Sequence, residues 1–395
     1  MLIEFLLLTF FILLPKVGVI DLSFLSLCLL LTIKILQSKV CFKLSKLHVL
    51  FLTGCLLLIL LSLLSSIFNN FQFVSEFILK PLRLFLVFFV LCLMYGKYTA
   101  KANALLLSIV IASFVNALVV ILQYTLHYHF GIEKFLLNPD FSEAVITPYR
   151  KPGLMSGYPV AGLLSVLGII SLGAIDKHNK YMLVFKHIVF VVLLISLTIT
   201  SRTALLIGIV VILALVLKSR SFSLFFKKFI ALVFVASLSV PLVMSKYENS
   251  DVIKKTVDKS FVIFINMYKG NEVLDYSSKD LINNHYTLPN DNSVFVIGNS
   301  VSPKQNIVNS DVFFIRFLWG NGFLSPFLYC SLVFLLYISI ATKVVEYKYS
   351  NKEFYLTLML FTMVAASFKG SYFFSRVIGD VVIVYYFYLI SLRDK

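Results

Sequence analysis

Apolar residues run along this chain in stretches of about bilayer length, broken by polar linkers, from one end to the other. A membrane-spanning helix takes about 20 mostly apolar residues, because the hydrocarbon core is about 30 Å thick. By that measure about twelve spans are predicted, at 1–15, 17–37, 46–67, 76–96, 102–126, 154–175, 181–200, 202–218, 224–245, 312–341, 353–369 and 371–391. The first is shorter than the usual minimum. The break at Ser201-Arg202 is so tight that the flanking spans must form a helical hairpin. Leu2 to Leu14 has the length of a signal-peptide core, but Glu4 stands where basic residues belong. Pro15-Lys16 stands where a small-residue cleavage site belongs, so this segment is expected to stay as a short membrane helix. The predicted fold is all-α, one polytopic integral membrane domain over 1–395, with no internal repeat and no low-complexity tract.

The linkers alternate in charge. Lys39, Lys43 and Lys46 mark one basic linker, then Lys97 and Lys101, then Lys177 and Lys180. Lys218, Arg220, Lys227 and Lys228 follow, then Lys343, Lys348 and Lys352, and the tail carries Arg393 and Lys395. Lys and Arg collect in cytoplasmic linkers, so both termini are predicted inside and the intervening linkers outside. Two outer linkers are long: 127–152, and 246–310, the largest polar stretch in the chain. Within the second, Ile253, Val257, Phe261, Phe264 and Tyr268 recur at helical spacing opposite Lys254, Lys255, Asp258 and Lys259. That pattern predicts an amphipathic helix, lying on the membrane surface or on the protein's own outer face. A turn-rich stretch with Pro289, Gly298 and Pro303 follows.

Composition agrees: 59% of residues are hydrophobic and 14% charged, where soluble domains carry about half and a quarter. The net charge of +16 would suggest nucleic acid in a soluble protein. Here it follows from the basic linkers, and nucleic acid is not an expected partner. Cys28, Cys41, Cys55, Cys92 and Cys330 all lie in or beside apolar segments and form no metal-ligand spacing, so neither a loop disulfide nor a metal is expected.

Cations on the outer side run against the topological trend and point to a site. Lys80 and Arg83 share a helix face near the outer end of a span, and Arg150 and Lys151 close the first long loop. Arg202 lies in the tight hairpin, and Arg316 opens the span after the large loop. Lys369 and Arg376 flank the last outer turn, two helical turns apart if the helix runs through. Any one of these can snorkel to the headgroups. The set, drawn from five outer segments, points to a common anion, because charge at membrane depth is costly and Arg and Lys suit phosphate oxygens. A lipid-linked phosphate or diphosphate is the anion found at that depth.

A hydroxyl nucleophile needs a base. The outer carboxylates and histidines are Asp140, Glu143, Asp311, His127, His129 and His285, and His285 and Asp311 stand closest in sequence to Arg316. The plainer readings are a solvated loop histidine for His285 and a helix N-cap for Asp311. The chain has no P-loop, H-E-x-x-H, Gly-x-Ser-x-Gly or Asp-x-Asp, so nothing suggests a metal bridging a nucleotide-sugar diphosphate. Gly153, Gly157 and Gly162, among Pro152 and Pro159, suit close helix packing.

Five stretches resemble the Wzy-type O-antigen and capsule polysaccharide polymerases, relatives of the O-antigen ligases. They are Lys80-Pro81-Leu82-Arg83, Arg150-Lys151-Pro152-Gly153-Leu154 with Tyr158-Pro159, and Ser201-Arg202-Thr203-Ala204-Leu205-Leu206. The fourth is Val296-Ile297-Gly298 with Ser310-Asp311, Arg316, Gly320 and Gly322. The last is Ser367-Phe368-Lys369-Gly370 with Arg376. The many spans and one large outer loop late in the chain are also similar. The resemblance implies transfer of a glycan from undecaprenyl diphosphate to another lipid-linked repeat unit, on the periplasmic face of the bacterial inner membrane, without nucleotide sugar or cofactor. It implies that Arg83, Arg150, Arg202 and Arg316 hold the diphosphate, with Lys80, Lys369 and Arg376 as weaker members, and that His285 or Asp311 is the base. The expected partners are the lipid-linked oligosaccharide as donor and acceptor and the bilayer, with a chain-length regulator as a further candidate. A ligase differs only in its acceptor, lipid A-core. A flippase for the same units is the alternative from another class, but the chain lacks the internal repeats common in transporters.

Overall fold

A computed structural model describes residues 2–17, 20–40, 44–70, 75–95, 102–129, 150–175, 180–218, 276–300, 310–344, 352–370 and 375–392, with Lys255 and Tyr372. The expected span 224–245, the amphipathic helix around 253–268, and Asp140 and Glu143 lie outside the described residues. The regular secondary structure of the described residues is α-helical, apart from a two-residue antiparallel ladder, β1 (Lys16–Val17) with β2 (Ile20–Asp21). The chain packs as two compact units, residues 1–112 with 276–395, and residues 113–275.

The first unit holds α1 (Leu2–Leu13), α2 (Leu22–Leu36), α3 (Lys46–Phe68), α4 (Ser75–Tyr95) and the start of α5 (Ala102–His129). The second continues α5 and adds α6 (Tyr158–Ala174), α7 (Lys180–Thr200) and α8 (Arg202–Lys218). The chain returns to the first unit for α9 (Tyr276–Asn284), α10 (Asn292–Ile297), α11 (Phe313–Asn321), α12 (Leu324–Val344), α13 (Lys352–Ser367) and α14 (Ile378–Ser391).

Among the described residues five helices, α3, α4, α5, α7 and α12, are long and apolar enough to cross a membrane. Their solvent logic is inverted. On α3 the outward positions are Leu50, Leu56, Leu57, Leu60, Leu63 and Leu64, while the inward face carries Ser62, Ser65 and Ser66. Water would select the reverse; lipid tails are as apolar as leucine, so polar side chains go inward to find partners. The chain is an all-α, membrane-embedded protein. α14, with all 14 residues buried, is the innermost helix of the first unit.

Three expected spans differ in detail. The span expected at 17–37 starts only at Leu22, because Asp21 caps α2 by accepting from the amides of Ser23 and Phe24 at 3.1 and 3.2 Å. The span expected at 312–341 breaks between α11 and α12 at Gly322, whose φ of 75° ends the first helix in the left-handed region. The last span starts at Ile378, so no helix runs from Lys369 through Arg376. The expected Ser201-Arg202 hairpin is present: α7 ends at Thr200 and α8 begins at Arg202.

In the second unit α6 is the buried axis, with Ala161 to Leu172 all buried. Gly162 is where it crosses the α7–α8 hairpin: a Cβ there would lie 2.6 Å from Ala204 Cβ and 2.7 Å from Thr200 Oγ1.

Candidate functional site

Helix α4 organises the first unit's polar residues. Pro81, inside it, has no N–H for the carbonyl of Phe77 one turn earlier. Ser62 Oγ of α3 donates to that carbonyl at 2.9 Å and accepts from Asn321 Nδ2 at 2.9 Å. The proline therefore ties α4 to α3 and to the end of α11. Glu76, Lys80 and Arg83 follow at helical spacing on one face.

Lys80 donates to Glu76 Oε1, and Arg316 of α11 donates to Glu76 Oε2 at 2.6 Å through Nη2. One carboxylate thus bridges two of the predicted cations. Arg316 Nε is buried and makes no hydrogen bond among the described residues. One turn deeper, Arg83 is fully committed. Its Nη1 and Nη2 grip Asp380 at 2.6 and 2.8 Å, its Nε reaches Asp21 at 2.8 Å, and Nη2 also donates to Ser23 Oγ at 3.1 Å. Arg376 donates to the Leu14 carbonyl at 2.5 Å and lies 3.9 Å from Asp21. Lys369 is half-buried in the turn after α13.

Residues 276–300 and 310–322 form the rest of this end. Three glycines let two backbones meet. A Cβ on Gly298 would lie 2.3 Å from the Gly320 carbonyl oxygen, and one on Gly322 would lie 2.1 Å from that of Val296. A Cβ on Gly320 would strike the Phe77 ring at 2.3 Å. Without those Cβ atoms the chains pair: Asn299 and Ser300 amides donate to Trp319 and Gly320 carbonyls at 2.8 and 3.0 Å, and Phe323 donates to Phe295 at 2.9 Å. Ser65 Oγ of α3 donates to the Gly320 carbonyl at 2.8 Å, and Asn69 Nδ2 to that of Gly298 at 3.1 Å. Trp319 Nε1 reaches the Thr287 carbonyl at 2.9 Å.

His285 is held at both ring nitrogens. Nδ1 accepts from the Asp311 amide at 3.3 Å, and Nε2 faces Asp280 Oδ2 at 3.2 Å. An amide can only donate, which makes Nδ1 the acceptor and Nε2 the N–H. The Asn284 amide, bonded at 2.7 Å, and then His285 hold the exposed Asp280 carboxyl below its ordinary range. Ser310 Oγ donates to the His285 carbonyl at 2.7 Å and accepts from Val312 N–H at 3.2 Å. Asp311 is therefore not the N-cap of α11, a position that Val312 takes. Its carboxylate is exposed and makes no hydrogen bond or ion pair among the described residues.

In the second unit, Arg150 lies with its Cζ 5.1 Å from the centre of the Tyr158 ring, and Lys151 is fully buried. The following turn is pinned to α5. Gly153 N–H donates to Gln123 Oε1 at 2.9 Å, Gln123 Nε2 donates back at 3.0 Å, and Leu154 N–H donates to Asn116 Oδ1 at 2.8 Å. Gly153 has φ 63°, and a Cβ there would lie 2.4 Å from Asn116 Oδ1. Tyr158 opens α6 one turn before Gly162, which touches Thr200 and Ala204 on either side of Arg202. Arg150, Lys151 and Arg202 thus share one end of this unit. His127 and His129 close α5.

The structure gathers Lys80, Arg83, Arg316 and Arg376 along one side of the first unit, and Arg150 and Arg202 at one end of the second. Reasoning from sequence missed Glu76, Asp21 and Asp380, the carboxylates that answer the first group. Asp380 carried the clearest signal, a carboxylate inside an apolar run. No protein-family model and no curated protein matches the chain.

Proposed function

We propose that this protein is a bacterial inner-membrane glycosyltransferase that polymerises undecaprenyl-diphosphate-linked oligosaccharide repeat units on the periplasmic face, with both termini in the cytoplasm. The observation that carries the reading is the segment leading into α11, where the Asp311 carboxylate, without a bond among the described residues, stands five residues before Arg316, a guanidinium whose Nε has no partner among them. A base just ahead of α11 and an anion-binding cation in its first turn are groups that glycan transfer from a lipid diphosphate can use. Asp311 takes the proton of the acceptor hydroxyl as its oxygen bonds to the anomeric carbon and the C–O bond to the diphosphate breaks, through an oxocarbenium-like transition state. Arg316 and Lys80 take up the charge of the departing diphosphate. In the second unit Arg150 and Arg202 are further cations suited to an anionic group. His285, with both ring nitrogens engaged, positions Asp311. Arg83 and Arg376, answered by carboxylates, hold the scaffold.

A gel of surface polysaccharide from a deletion strain tests this. Single repeat units on an intact lipid core are expected. Full-length polymer held on undecaprenyl diphosphate and missing from the core makes the protein the ligase. Units trapped inside the cell make it a flippase and end the catalytic reading.

A further inference from the structure

The two ion clusters on α4 differ in a way that points to a ligand. Arg83 is saturated, with a bidentate grip on one carboxylate and bonds to a second carboxylate and a hydroxyl. Arg316 is not: it reaches Glu76 through one terminal nitrogen, and its Nε is buried with no hydrogen bond among the described residues. The Glu76 carboxylate offers one oxygen to Lys80 and the other to Arg316. Two oxygens on one centre, spread between a lysine and an arginine, is also how a phosphate group would lie there. Glu76 sits in the first turn of α4, where helix amides favour negative charge of any origin. The three side chains keep 13 to 25% of their exposure, so the cluster is reachable.

We propose that Glu76 is a displaceable internal counter-ion, holding the Lys80–Arg316 anion site in the ligand-free protein until a phosphate or diphosphate group takes its place. With one oxygen on Lys80 and the other on Arg316 Nη2, the Glu76 carboxylate leaves Nε of Arg316 unmet, whereas a phosphate has a third oxygen for it. The exchange moves Glu76 away from the guanidinium and leaves the incoming anion with two cations and a helix N-terminus. This inference rests on the reading of the site as one for a lipid diphosphate; its test is independent of glycan transfer.

The test is binding of inorganic pyrophosphate, and separately of farnesyl diphosphate, to the full chain in detergent. Removing the competing carboxylate with Glu76→Gln should tighten pyrophosphate binding about tenfold or more, the worth of one charge-assisted hydrogen bond. Arg316→Gln should weaken it by a similar factor. Equal gains for both probes place the recognition in the diphosphate; a larger gain for farnesyl diphosphate adds a lipid contact. If E76Q does not fold, Glu76→Asp, too short to bridge both cations, should gain about threefold. Unchanged or weaker binding in the folded variant makes Glu76 a structural partner and overturns the proposal. Tighter binding together with full-length polymer in the deletion strain would keep the anion site and remove the polymerase.

Discussion

Replacing Arg83 by alanine should destabilise the first unit, not merely silence it. The change strips Asp380 of bonds at 2.6 and 2.8 Å and Asp21 of one at 2.8 Å. Asp380 is 4% exposed, so water cannot replace the guanidinium. A buried carboxylate left without its partner costs about 3–5 kcal/mol. Asp21 adds little, because it is more exposed and keeps its bonds to Ser23 and Phe24. For a unit of this size the loss lowers the melting temperature by on the order of 10 °C. Arg83→Met with Asp380→Asn should recover more than half of that, since it removes both charges and keeps volume. The assay is thermal unfolding of the purified chain in a mild detergent, with the two single variants and the double variant forming a cycle. An additive cycle, or a normal melting temperature for Arg83→Ala, would refute the reasoning and return Arg83 to the substrate.

Other variants separate the roles of the remaining residues. Arg316→Ala and Arg202→Ala should abolish polymer on a surface-glycan gel while leaving protein level unchanged; full-length polymer in either variant means that residue has no part in glycan transfer. Asp311→Asn should lower transfer by about a hundredfold or more, whereas His285→Ala, which removes only a positioning bond, should lower it less. Equal losses would make the imidazole the base. Gly322→Ala puts a methyl group 2.1 Å from the Val296 carbonyl oxygen at a φ of 75°, and should destabilise the chain by about 2–4 kcal/mol, read as a drop in melting temperature. A neutral Gly322→Ala would mean that the 295–300 segment does not sit on the end of α11.

The helical fold was largely legible because its cause is local: long apolar runs leave a chain in lipid no option but to bond its own backbone. The Ser201-Arg202 hairpin followed from spacing alone. The break at Gly322 did not, because an apolar run continues through it, and only the close approach of residues 296–298 shows why a left-handed residue sits there. The α2 start was misplaced because Asp21, embedded in apolar sequence, reads as a tolerated charge until its capping bonds are seen. At the site the cations were legible and their partners were not. Cations on the outer side violate a topological rule and stand out; carboxylates break no such rule, and their pairing with Arg83 spans 62 and 297 residues of sequence.

Those carboxylates change the electrostatic argument itself. Lys80, Arg83, Arg316 and Arg376 bring four positive charges to the first unit, and Glu76, Asp21 and Asp380 answer three of them. Among the described residues two of these cations, Lys80 and Arg316, share the one carboxylate of Glu76. Four bare cations at membrane depth would cost far more than a fold's net stability. Three fixed or displaceable counter-ions make the cluster tolerable without a ligand, and the shared carboxylate is the place where an incoming anion can exchange. Selectivity then follows from the difference between the two arginines. Arg83, bidentate on a carboxylate 4% exposed, offers an incoming phosphate nothing that Asp380 does not already supply. Arg316, held by one bond to a partly exposed glutamate, is the place where an exchange of anions can be favourable.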